Sequence, residues 1–204
     1  MLLVLVVVGA AWAAPQGPCD IYDAAGTPCV AAHAMTRALF AAYDGPLYMV
    51  QRDSDKAIKD IGVTAAGGLA NVAVQDAFCA GTLCRVLRLY DQSVRGNHID
   101  LAPPGGAAPH SDIGVNASRA PFTLGGQKIY GAFFEGGMGY RREQTSGVAT
   151  GDEPESIYMV ADGRHYNDKC CFGTRKARGG GGGEKGKGGK KKGRGKKKKK
   201  KKKK

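Results

Sequence analysis

The run LCRVLRLYDQ, residues 83–92, decides how the rest of this 204-residue chain is read. It is short, rich in apolar side chains and closed by a polar Asp-Gln pair, which is the pattern of a strand. Working outward, PLYMVQR (46–52) precedes it, and KIYGAFFEG (128–136) and SIYMVADG (156–163) follow; each is a comparable run bounded by Gly, Asp, Asn or Pro. Glycine pairs at 67–68, 105–106, 125–126 and 136–137 fit tight turns between strands. No alternation of strand and long helix is visible, which argues against a parallel α/β sheet. One segment departs from the pattern. VAAHAMTRALFAAYDG (30–45) places Val30, Met35, Leu39 and Tyr43 near a 3.6-residue period and ends on Gly45, so one short helix is expected there. The expected fold is therefore all-β, a β-sandwich with one short helix.

Composition divides the chain. Thr174 to Lys204 hold eighteen Lys or Arg against one acid, Glu184, so the body before them is mildly acidic although the whole chain carries a formal charge of +13. A body of that size suits one domain, or part of a larger one. At the other end, MLLVLVVVGAAWAAPQ has an apolar run from Leu2 to Trp12 followed by small residues in an A-x-A pattern. This reads as a secretory signal peptide over residues 1–16, cleaved between Ala13 and Gln16. The apolar run is shorter than the roughly 20 residues of a membrane-spanning helix, and no second run of that length occurs, so no membrane anchor is expected.

Secretion governs the reading of the six cysteines, Cys19, Cys29, Cys79, Cys84, Cys170 and Cys171, because an oxidising compartment favours disulfides over metal sites. No zinc pattern competes: FCAGTLC lacks a second pair, and His33, His98, His110 and His165 are scattered. Pairing Cys19 with Cys29 and Cys79 with Cys84 is the simplest choice, the first loop contributing on the order of 3 kcal/mol by loop entropy. Cys170 and Cys171 are harder. Neighbouring Cα atoms lie about 3.8 Å apart, or about 2.9 Å if cis, against roughly 4.4 to 6.8 Å in ordinary disulfides. Either a strained vicinal ring forms, or each cysteine pairs with a distant partner. A vicinal ring would offer a rigid, polarisable sulfur plate suited to the apolar face of a sugar.

Other patterns carry less. GQKIYGAFFEGGMG lacks the glycine spacing of a dinucleotide loop, and neither a G-x-S-x-G elbow nor a phosphate loop occurs. Asn116 opens an N-A-S glycosylation sequon. The acids of GDEPES, Asp152, Glu153 and Glu155, read as a solvated turn rather than as catalysts.

The order of segments is more informative than any one of them. GPCDIYDAAGTPCVAAHAMTRALF, GGLANVAVQDAFCAGTLC, YDQSVRGNHIDLAPPGG, GQKIYGAFFEGGMGYR and ATGDEPESIYMVADGRHYNDKCCF follow one another between Gly17 and Phe172. This series closely resembles the N-terminal half of the catalytic domain of glycoside hydrolase family fifty-four, the α-L-arabinofuranosidase B type. The resemblance implies a β-sandwich of the concanavalin or jelly-roll kind. It also implies a secreted retaining enzyme that removes terminal α-L-arabinofuranose from arabinoxylan, arabinan and related plant polysaccharides; a monomer with no cofactor and no metal is expected. By the same resemblance Cys19 pairs with Cys29, Cys79 with Cys84, and Cys170 with Cys171 in a vicinal bridge lining the arabinose pocket.

Retaining glycosidases need two carboxyl groups roughly 5 to 5.5 Å apart. In the family both lie downstream of the double cysteine, so no catalytic residue is expected in this chain. The sandwich is expected to be truncated, at residues 17–173, and inactive alone, with unpaired strand edges that favour aggregation. Residues 174–204 contain, from Arg178 onward, only the four amino acids that purine-only codons specify. They are expected to be either a low-complexity read or a disordered basic tail that binds polyanions without specificity. Two alternatives stand beside the hydrolase reading: a non-catalytic sugar-binding sandwich, and a nucleic-acid-binding protein acting through its tail.

Overall fold

The computed structural model describes residues 16–105 and 109–163. Antiparallel strands dominate it. PLYMVQR forms β1 (Pro46–Arg52), the apolar half of LCRVLRLYDQ forms β3 (Cys84–Leu89), and β2 (Ile58–Gly62), β4 (Ile99–Leu101) and β7 (Tyr140–Arg141) complete a five-stranded sheet in the order β2-β1-β3-β4-β7. A second sheet is the hairpin β5 (Ala120–Leu124) and β6 (Gln127–Gly131). Gly125 and Gly126 join its strands at φ of 55° and 78°, the doubly positive geometry that a two-residue hairpin turn requires and that glycine adopts without steric cost. The chain thus adopts the all-β, sandwich-class architecture read from its apolar runs.

Burial explains why the central strands sit where they do. Leu47, Tyr48 and Val50 of β1, Ile61 of β2 and Val86 of β3 are wholly buried, joined by Val115 and Ala117 from the segment that flanks β3. Each such side chain contributes roughly 1.5–3 kcal/mol when fully removed from water. Strict alternation would send Leu47 and Tyr48 to opposite faces. A register shift between Pro46 and Tyr48 in the β1–β2 ladder accompanies the burial of both. The outer strand β2 presents exposed Lys59 and Asp60 beside Ile58, and these two charges discourage edge-to-edge pairing.

The helix expected at 30–45 is not there. The described residues contain two short helices elsewhere, α1 (Pro18–Ala24) and α2 (Val72–Phe78). The reason lies in the hydrogen bonds. In the 30–45 segment the N–H groups of Ala32, Leu39 and Ala41 donate to Asp91 Oδ1 (2.8 Å), Gln92 Oε1 (2.6 Å) and Asp20 Oδ2 (2.7 Å), and Ala38 N–H donates to the Gly68 carbonyl (2.9 Å). Long-range acceptors replace the i−4 carbonyls, so the apolar period is a coincidence of an irregular chain whose Ala32, Met35 and Ala38 are buried. The strand expected at 156–163 also fails to form. Its backbone is assigned to no strand, and Ile157, Met159 and Val160 are exposed.

Cys19 is bonded to Cys29 with Cα atoms 5.5 Å apart, pinning α1 to the irregular segment. Cys79, the C-cap of α2, is bonded to Cys84 at the start of β3, with Cα atoms 5.8 Å apart. The five-residue separation makes the second a short staple, contributing about 2 kcal/mol by loop entropy.

Candidate functional site

The polar phrase after β3, Asp91 to His98, folds into a buried knot that sets the geometry at the end of the large sheet. Asp91 is buried and its carboxylate accepts four hydrogen bonds. Oδ1 takes Ala32 N–H (2.8 Å) and Ser93 N–H (2.9 Å); Oδ2 takes Ser93 O–H (2.6 Å) and Asn97 N–H (2.8 Å). Asn97 is equally occupied: Nδ2 donates to the carbonyls of Val30 (2.6 Å) and Ser146 (2.9 Å), and Oδ1 accepts from Ser146 N–H (2.8 Å). Gln92 accepts from Leu39 N–H through Oε1 and donates from Nε2 to Arg37 O (3.2 Å). Three segments distant in sequence, 30–39, 91–98 and 146, are therefore held by side chains of one turn.

Two histidines frame the knot. His33 Nε2 lies 2.9 Å from the Asn97 carbonyl, which can only accept, so that nitrogen carries the hydrogen. Burial holds the His33 pKa below its usual value, and the hydrogen bond to the Asn97 carbonyl and then the Asp91 charge oppose that only in part. His98 Nδ1 accepts from Asp91 N–H at 2.9 Å and is therefore unprotonated at that nitrogen, and its ring meets Tyr90 edge-on at 5.1 Å. Tyr90 donates to Asp60 at 2.8 Å, and its phenol is pushed up to about 12, chiefly by burial and then by that bond.

Beside the knot lies an open polar cleft of about 250 Å³ lined by His98, Asp100, Arg141, Arg142, Glu143 and Gln144. Its carboxylates are already partnered. Asp100 receives a bidentate Arg88 (2.6 and 3.0 Å), and Glu143 receives Arg141 (2.9 Å). Such groups can bind hydroxyls, but each has an arginine in place of a nucleophile's open approach.

The residues singled out in the sequence fare differently. Cys170, Cys171 and His165 lie outside the described residues, as do residues 1–15 and the basic tail. Asn116 sits in a half-buried position next to a turn, its Oδ1 accepting from Ser118 N–H at 3.0 Å. Asp152, Glu153 and Glu155 are exposed, and Glu153 closes its own turn by accepting from Thr150 N–H at 2.7 Å. His110 is exposed; among the described residues His33 and His98 are brought near one another, and Asp91 is close to both. Among the described residues no cluster of three or more His, Cys, Asp or Glu side chains is placed to hold a metal ion. The tasks of Asp91, Gln92, Ser93 and Asn97 are not visible in the sequence. The available signal is Asp, Ser, Asn and Gly crowded into one turn, a composition suited to side chain to backbone bonds.

Comparison with known proteins places this architecture. The family described as “Alpha-L-arabinofuranosidase B, catalytic” matches residues 18–187. A probable α-L-arabinofuranosidase B of Aspergillus fumigatus is 59% identical over 160 residues, covering 76% of this chain and 32% of that protein. The α-L-arabinofuranosidase B of Aspergillus oryzae is 53% identical over 172 residues, covering 82% of this chain and 34% of that protein. Among solved structures, an arabinofuranosidase complexed with arabinofuranosyl-α-1,2-xylobiose superposes with a TM-score of 0.66 at 50% identity, covering 68% of this chain and 30% of that one. A family 54 α-L-arabinofuranosidase soaked with a cyclic sulfate inhibitor gives 0.65 at 49% identity, with the same coverage. The chain spans about a third of the length of the curated relatives it matches.

Proposed function

This chain belongs to the α-L-arabinofuranosidase B catalytic family, and from that premise we propose that residues 17–173 are the N-terminal part of a secreted, retaining arabinofuranosidase acting on hemicellulose. Its substrates are terminal α-L-arabinofuranosyl groups on arabinoxylan, arabinan and related polymers. The observation that carries this reading is the superposition at 50% identity on an arabinofuranosidase holding an arabinofuranosylated xylobiose. Residues 1–16 act as the export signal, and the two disulfides fit an oxidising compartment. Cys170 and Cys171 form a vicinal disulfide that lines the arabinose pocket.

The acid pair is supplied from outside residues 17–173. The carboxylates of the knot and of the cleft beside it support this. Asp91, the one buried acid among them, accepts four hydrogen bonds, while Asp100 and Glu143 are ion-paired to arginines. Double displacement needs one carboxylate free to attack the anomeric carbon and a second free to give and take a proton.

The 204-residue polypeptide is therefore expected to release no p-nitrophenol from p-nitrophenyl α-L-arabinofuranoside. A version continued through the downstream part of a family relative is expected to turn it over. Measurable hydrolysis by the shorter polypeptide would place the catalytic carboxylates within it and reject this assignment. The sulfur plate has its own readout: non-reducing peptide mapping should find Cys170 and Cys171 oxidised within one peptide, and a crosslink from either to another cysteine would remove it from the pocket.

A further inference from the structure

We propose that Asn116 carries an N-linked glycan. The inference rests on the secretory reading above, because the sugar donor meets the chain only in the lumen of the secretory pathway. Of the four asparagines, Asn71, Asn97, Asn116 and Asn167, only Asn116 is followed by a residue other than proline and then by Ser or Thr. The surroundings of its amide separate it from a chance match.

The Asn97 amide, for contrast, is buried, with both heteroatoms bonded to the backbone. Asn71 caps α2, its Oδ1 turned to Val74 N–H. In Asn116 the carbonyl oxygen alone is engaged, by Ser118 N–H at 3.0 Å. Among the described residues its Nδ2 makes no hydrogen bond and is not enclosed by protein, so it faces solvent. Ser118, whose hydroxyl the modification requires, is exposed; its N–H closes an Asx turn on Asn116 Oδ1, and its Oγ accepts from Gln75 Nε2 at 3.2 Å, which leaves the hydroxyl hydrogen free to point elsewhere. The backbone of Asn116 is paired to Arg85 at the start of β3, which anchors the glycan at the rim of the large sheet.

The step transfers an oligosaccharide from a lipid-linked pyrophosphate donor. The Nδ2–C1 bond forms, the C1–O bond to pyrophosphate breaks with the electron pair leaving on the phosphate, and the amide nitrogen loses one proton. No oxidant or metal redox change is involved.

The test uses the full 204-residue chain expressed in a yeast secretory host, with a reporter sequon introduced in the tail by Gly179→Asn with Gly181→Thr. Peptide N-glycosidase digestion should produce two steps of increased mobility, and mass spectrometry should find Asn116 converted to Asp by the digestion. Asn116→Gln and Ser118→Ala should each remove one step, whereas Ser118→Thr should keep it. A reporter that is modified while Asn116 is not would overturn the proposal and leave secretion standing. If neither sequon is modified, the secretory reading fails and the proposal falls with it.

Discussion

Asp91→Asn is expected to cost the fold on the order of 4 kcal/mol. Asp91 accepts four hydrogen bonds, and asparagine keeps one acceptor oxygen while turning the other into a donor. Oriented with its oxygen toward Ala32 and Ser93, its amide nitrogen faces the Ser93 hydroxyl and the Asn97 N–H, so one buried donor is left opposed by another. Hydrogen bonds to a charged partner contribute about 1.5–3 kcal/mol each, and a buried group left without its partner costs about 1–3 kcal/mol. Rotation of Ser93 recovers part of one bond, which sets the total nearer the middle of the sum. A domain of this size has about 5–15 kcal/mol in all.

The loss should also be local in a recognisable way. Segment 30–39 is tied down by Asp91 and Gln92 rather than by helix bonds, so Asp91→Asn should open it to protease first. The denaturation midpoint in urea and the earliest tryptic cuts of the 204-residue chain read both effects, with Arg37 as the diagnostic site. An unchanged midpoint together with continued protection of Arg37 would mean that the knot does not hold this segment.

The second large effect is expected at Gly114. An added Cβ there would stand 2.0 Å from the Val86 carbonyl oxygen and 3.0 Å from its carbon, which no side-chain rotation can relieve because both atoms are backbone. Relief requires moving residues 113–117 away from β3. That motion stretches Val86 N–H to Val115 O (3.0 Å) and Ala117 N–H to Cys84 O (2.9 Å), and it disturbs Tyr140, which donates to Val86 O (2.7 Å) while accepting from Val115 N–H (3.0 Å). Val115 and Ala117 also leave the core. Overpacking of this kind costs typically about 1–3 kcal/mol, and with a strained backbone bond added, Gly114→Ala should lose about 3 kcal/mol. Gly136→Ala is the matched control: its added Cβ meets nothing within 4 Å, so its midpoint should stay within about 0.5 kcal/mol of the parent. Equal midpoints for the two variants would show that β3 and the 113–117 segment are not in close backbone contact.

Much of the fold was legible because strand formation here follows local pattern. PLYMVQR and the apolar half of LCRVLRLYDQ became β1 and β3, and Gly125-Gly126 became the turn of the β5–β6 hairpin. The segments that misled did so for one reason, which is that local pattern says nothing about hydrogen-bond partners. VAAHAMTRALFAAYDG has an apolar period, yet its amides bond to carboxamide and carboxylate oxygens more than fifty residues away or to Asp20. SIYMVADG has strand composition, yet a strand exists only beside another, and Ile157, Met159 and Val160 stand exposed with no ladder formed.

The sequence by itself determined the all-β class, the cysteine spacing and the family, because each is carried by residues near one another along the chain or by the order of such groups. Only the tertiary structure decided what DQSVRGNH does: its Asp, Gln and Asn are not free chemistry facing a substrate but the fasteners of an irregular segment. A buried carboxylate and a catalytic one are the same letter in a sequence. What separates them is whether the lone pairs are already occupied, and that depends on donors such as Ala32 N–H, 59 positions away, which only folding brings within 2.8 Å.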